Sequence, residues 1–158
     1  MPFYFKTNRI TTTNGSGSTE STHLLFLTVA NQISAVIKGI YGSLVHGTAG
    51  GGKLRAYRGA TAGTGGTAKT PAKSNGSSPA AALTAFDDQT SITPGGTLVN
   101  QVTVGLAQTG GQGAWVALEP DDGLYLGPNA GANGNLEIKS IANATSVPLD
   151  ITITHSEG

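Results

Sequence analysis

Leu149-Asp150-Ile151-Thr152-Ile153-Thr154-His155 alternates apolar and polar residues without a break. Successive side chains of a strand point to opposite faces. Leu149, Ile151 and Ile153 therefore share one face, and the segment reads as a half-buried strand. Leu136-Glu137-Ile138-Lys139-Ser140-Ile141 carries the same period, with Leu136, Ile138 and, one slot on, Ser140 aligned. Further upstream, short β-rich runs recur at Leu124–Leu126, Ala114–Leu118, Thr97–Val104 and Ala81–Phe86. Between them lie Pro94-Gly95-Gly96, Gly110-Gly111, Asp121-Asp122-Gly123, Pro128-Asn129 and Asn133-Gly134. Proline fixes φ, and Gly and Asn accept positive φ, so these are turns.

The first half is less regular. His23–Val29 reads as a buried strand. Ile33, Val36, Ile37, Ile40 and Leu44 fit helical spacing, but Gly39, Gly42 and the β-branched residues favour two strands with a kink. Lys53-Leu54-Arg55-Ala56-Tyr57-Arg58 reads as a strand. Gly59 to Pro79 then contains no Val, Ile, Leu, Met, Phe, Tyr or Trp. Such a loop is uncommon inside a compact domain and has no large side chains with which to bury itself, so anything that orders it comes from elsewhere. Phe3-Tyr4-Phe5 forms an aromatic tip, and Thr11 to Ser21 holds no large apolar residue. The whole reads as an all-β protein: residues 1–21 an extended N-terminal arm, residues 22–158 a single β-sandwich or jelly roll of about eight to ten strands, with a long Gly/Thr-rich loop at 59–79.

Composition narrows the function. The 158 residues include no cysteine, which removes disulfides, thiolate nucleophiles and Cys-based metal sites. No apolar run reaches the length of a membrane span, and Met1 to Lys6 lacks the apolar region of a signal peptide. The sequons at Asn14, Asn75 and Asn143 therefore read as turn chemistry. Charged residues make up 11% of the chain, well below the roughly 25% usual for globular proteins, which predicts a surface partly covered by neighbours.

The net charge is zero, but the charges are sorted. Up to Phe86 there are eight basic residues against Glu20; from Asp87 onward Lys139 stands against eight acids. Complementary halves predict contacts between charged surfaces, including other copies of the chain. The alternative is that strands of both halves interleave and the charges mix. The contact candidates are Phe3, Tyr4, Phe5, Lys53, Arg55, Arg58, Lys69, Lys73, Asp87, Asp88, Asp121 and Asp122.

No motif supplies a reaction. Gly47-Thr48-Ala49-Gly50-Gly51-Gly52-Lys53 has the spacing of a phosphate-binding loop, but Leu54 replaces the required Ser or Thr and the following residues read as extended, not helical. His23, His46 and His155 lack ligand spacing and read as surface or interface residues. Asp87-Asp88 and Asp121-Asp122-Gly123 lack the oxygen array of a calcium loop and read as turn caps and an acidic rim. Trp115 lies in an apolar strand and reads as core. The cluster Lys53, Arg55, Arg58, Lys69 and Lys73 comes with zero net charge and a single interleaved aromatic, a weak nucleic-acid footprint.

Ala114-Trp115-Val116-Ala117-Leu118-Glu119-Pro120, Leu126-Gly127-Pro128-Asn129, Ala132–Ile138, Gly65–Pro71 and Ser78–Ala82 together resemble small virion proteins of tailed bacteriophages, particularly jelly-roll capsid decoration (cement) proteins. The resemblance is one of style across most of the chain and carries over no binding residue by position. It implies a non-enzymatic structural protein, made in the host cytoplasm and located on the capsid surface. Its partners would be the major capsid protein and other copies of itself, as a homotrimer, with no cofactor, nucleic acid, membrane or small-molecule substrate. Mass action would then stabilise the assembled lattice. A neck, tail or fibre component and a carbohydrate-binding β-sandwich, which would expose Trp115, are the other readings.

Overall fold

A computed structural model of the chain describes residues 3–11, 15–16, 25–29, 34–44, 52–59, 61, 64, 66–87, 97–104, 112–117, 123–127, 135–142 and 149–157. All regular structure among them is β-strand: β1 (Phe3–Thr11), β2 (Gly15–Ser16), β3 (Leu25–Val29), β4 (Ala35–Leu44), β5 (Gly52–Arg58), β6 (Thr67–Lys69), β7 (Ala72–Lys73), β8 (Leu83–Asp87), β9 (Thr97–Val104), β10 (Gln112–Val116), β11 (Leu124–Leu126), β12 (Asn135–Ala142) and β13 (Leu149–Glu157). Sheet 1 runs β10-β4-β13-β1-β7, with β11 paired to β4 beyond the end of β10; sheet 2 runs β6-β8-β3-β12-β5-β9, with β2 on β12. Among the described ladders, only the short β2–β12 one is parallel.

Eight of these strands, β1, β3, β4, β5, β9, β10, β12 and β13, pair from the outside in. β1 pairs with β13, β3 with β12, β4 with β10 and β5 with β9. The β4–β13 and β5–β12 ladders join these pairs into the two sheets. Among the described ladders, none joins strands consecutive in the chain. Each sheet is therefore closed by residues far apart in sequence.

The alternation seen in the sequence builds the core. Ile151 and Ile153 of β13 face inward with Ile37 and Ile40 of β4, meeting Leu136 and Ile138 of β12 and Leu54 and Ala56 of β5 from the opposite sheet. Ala35–Leu44 is one strand, not the expected two. Thr154 lies opposite Gly39 and His155 opposite Ile37, which leaves Lys38 as the extra residue of a bulge. The bulge lets Ile37 and Ile40 both point inward, which is why their spacing in sequence mimics a helix.

Residues of the expected N-terminal arm form β1, in register with β13 from Phe3–Glu157 to Thr11–Leu149. Within the apolar-free stretch, residues 67–73 are ordered by the chain itself. β6 pairs with β8 in sheet 2 and β7 with β1 in sheet 1, so residues 67–73 strap one side of the sandwich. Pro71, between them, is buried. The turn that follows is fixed by Asn75, whose side chain accepts from Ser77 N–H at 3.0 Å and whose carbonyl accepts from Ser78 N–H at 3.0 Å.

Candidate functional site

The strap returns to the sandwich at a buried polar clamp. Continuing the inward alternation of β13 past Ile153 places His155 and Glu157 between the sheets, and both are buried. The Glu157 carboxylate accepts from Ala82 N–H at 2.7 Å and Leu83 N–H at 2.8 Å, the backbone entering β8. His155 Nε2 lies 3.0 Å from Oε1 of the same carboxylate. Burial pushes His155 below its ordinary pKa, while the hydrogen bond to Glu157 and its charge pull the other way. His155 is thus not the surface or interface residue its isolated position predicted. Carboxylate oxygens filled by backbone donors belong to a structural clamp, not to an acid–base pair waiting for substrate.

The expected contact residues fall into several environments. Asp87 accepts from Thr67 N–H at 3.1 Å and pairs with Lys69 Nζ at 2.9 Å, an ion pair inside one chain and across the charge boundary. Arg58 turns toward the other sheet and donates to the Tyr125 carbonyl at 2.7 Å. Arg55 Nε donates to Gln101 Oε1 at 2.9 Å. Lys53, in β5, and Lys73, in β7, are exposed. Phe3, Tyr4 and Phe5 lie in register with Glu157, Ser156 and His155. Asp88, Asp121 and Asp122, like His23, His46 and residues 47–51, fall outside the described residues. Lys53 sits in a strand that begins at Gly52, so no helix N-terminus follows the glycine run.

The sorted charges therefore interleave to a substantial degree. β5, with Lys53, Arg55 and Arg58, lies between β9 and the acid-bearing β12. Arg55 stands opposite Lys139, whose ammonium lies 3.6 Å from buried Glu137 and 5.3 Å from the centre of the Tyr57 ring.

Two surface features were not predicted. The first is an apolar edge. Val116 at the end of β10 is 45% exposed and Tyr125 in β11 is 51% exposed, and both strands flank the same side of β4. Leu98, in the edge strand β9 of sheet 2, is 47% exposed. β9 and β10 come together at this side of the sandwich: a Cβ at Gly113 would collide with the Thr103 carbonyl oxygen. The second is a groove of about 390 Å³ on the outer face of sheet 1, lined by Tyr41, Ser43, Ala114, Asp150, Thr152 and Thr154. Trp115, by contrast, packs against the core as expected. This removes the platform that a Trp115-based carbohydrate site would need.

No protein-family model, curated protein or solved structure matches this chain.

Proposed function

We propose that the protein is a non-enzymatic structural component of a tailed-phage particle, which coats the capsid surface as a homotrimer and bridges neighbouring major capsid protein subunits. The observation that carries the reading is the apolar edge. Val116 and Tyr125 stand half-exposed on adjoining strands, in a chain with only 11% charged residues. Exposed apolar patches on a soluble sandwich mark sites covered by another protein, and aromatic anchors contribute most at such sites. The nested strand pairing supports reading the all-β sandwich as a jelly roll, an architecture used by viral capsid proteins but also by lectins and cupins. Fold alone assigns no function. The virion context comes from the resemblance of the sequence to decoration proteins.

The cross-links between the sheets support a mechanical role of this kind. The strap and the Glu157 clamp tie the two sheets together on one side, and Arg58 links them through the Tyr125 carbonyl. Copy number tests the reading: particles purified by density gradient should carry many copies of the chain, in fixed proportion to the major capsid protein. A handful of copies per particle would favour a neck or tail component, and absence from particles would sink both.

A further inference from the structure

We infer that the groove on the outer face of sheet 1 is a binding site for a neutral saccharide. The inference does not rest on the shell-coating role. Asp150, Thr152 and Thr154 alternate along β13, so their side chains form one outward row about 13 Å long. Ser43 lies opposite Asp150, Tyr41 opposite Thr152 and Gly39 opposite Thr154, with side-chain origins about 5 Å apart across the ladder. Ala114 closes the far side opposite Tyr41.

The Tyr41 ring is held in place by what is missing beneath it. A Cβ at Gly39 would lie 2.5 Å from Tyr41 Cε2 and 2.9 Å from Thr154 Oγ1. The ring therefore leans back over bare glycine backbone, beside the Thr154 hydroxyl, and the residue remains 36% exposed. An aromatic surface supported this way presents a π-face to solvent with hydroxyl groups beside it.

The chemistry of the lining selects the ligand. The volume of about 390 Å³ lies within the range of small-ligand sites. No Leu, Ile, Val, Met or Phe occurs among the described lining residues, which disfavours an apolar ligand. No Lys or Arg occurs among them either; Lys6 of β1 is in register with Thr154, at the opposite end of the row from Asp150, so the two formal charges offset and neither an anion nor a cation is favoured. What remains is an acceptor carboxylate, three aliphatic hydroxyls that both donate and accept, and the Tyr41 phenol ring. A sugar complements that set: its C–H face stacks on Tyr41, while its hydroxyls donate to Asp150 and exchange hydrogen bonds with Ser43, Thr152 and Thr154.

The test is a titration of the ¹⁵N-labelled full chain with maltotriose, cellotriose and the trimer of N-acetylglucosamine, with sialyllactose as the anionic arm, each to about 10 mM, which detects a dissociation constant near 1 mM. At least one neutral trimer should give saturable shifts centred on the amides of Ser43, Thr152 and Thr154. Tyr41→Ala and Asp150→Asn should each weaken it about tenfold while melting as the parent does, and Tyr41→Phe should retain it. The proposal is overturned if no neutral trimer produces saturable shifts there, if sialyllactose binds more tightly, or if binding is unchanged in both weakened variants.

Discussion

Replacing Glu157 by alanine is expected to loosen the strap and lower the stability of the whole sandwich. The carboxylate accepts two backbone hydrogen bonds, from Ala82 and Leu83, and sits 3.0 Å from His155. A hydrogen bond to a charged group contributes about 1.5–3 kcal/mol, and a buried donor left without a partner costs about 1–3 kcal/mol. Ala82 is only half-buried and its N–H can turn to water, whereas Leu83 is buried in the core. The Leu83 N–H therefore dominates, and Glu157→Ala should cost about 3 kcal/mol. For a chain of this length that corresponds to a fall in Tm of about 6–12 °C. Glu157→Gln keeps one acceptor but sets an amide N–H against the second donor, so about half the loss is expected. Thermal and urea unfolding followed by Trp115 fluorescence measures both. Amide exchange should show protection at Ala82 and Leu83 falling before that of Leu136 in the centre of sheet 2. A Glu157→Ala variant that melts within about 1 °C of the parent, or a Gln variant as damaged as the Ala variant, would refute the clamp.

Three further outcomes follow from the same geometry. The folded state holds the His155 proton less tightly than the ordinary value of 6.5, so below that value the unfolded chain binds the extra proton and stability falls as pH drops; above it the group has no effect. The unfolding free energy from urea titrations should decline between about pH 7 and pH 5, by at most about 1.4 kcal/mol per pH unit from this group, with the midpoint falling alongside it, and His155→Gln should flatten that slope. Gly113→Ala drives a methyl into the Thr103 carbonyl, a backbone atom that cannot swing aside, and should cost about 1–3 kcal/mol or more, while Gly76→Ala, with nothing within 4 Å, serves as the matched control in the same unfolding assay. Because Lys69 and Asp87 pair within one chain and Arg55 and Arg58 already have partners, association through the apolar edge should survive about 1 M salt, where charge pairs are screened beyond about 3 Å; sedimentation velocity in low and high salt checks this.

Much of the sandwich was legible in the strand periods. Leu136–Ile141 and Leu149–His155 announced inward rows that the structure uses as its core. Leu124–Leu126 and Thr97–Val104 were delimited by turns that leave little freedom for the ends. The strap was not legible, because β6 and β7 attach through backbone pairing, which demands no apolar side chains. The clamp also leaves a signal in the sequence. The period that places Ile151 and Ile153 inward also places His155 and Glu157 inward, two positions and four positions on. Their polarity suggested surface, but a carboxylate that accepts from two backbone donors has its hydrogen bonds met when buried. Of the two readings of the sorted charges, mixing within one chain has a visible instance: β6 pairs with β8 across the charge boundary, so Lys69 finds Asp87 within its own chain. The groove depends on cross-strand neighbours, Tyr41 with Thr152 and Ser43 with Asp150, which no local window contains.

The proposed role is tested most directly by binding to the shell itself. Purified protein is mixed with shells assembled from the major capsid protein alone, and the pellet is assayed after sedimentation, for the parent and for a Val116→Lys/Tyr125→Lys variant that melts as the parent does. The parent should co-sediment and saturate at a fixed ratio to the shell subunit, and the variant should stay in the supernatant. A parent that remains in solution, or a variant that binds equally well, would contradict a shell-coating protein seated through its apolar edge.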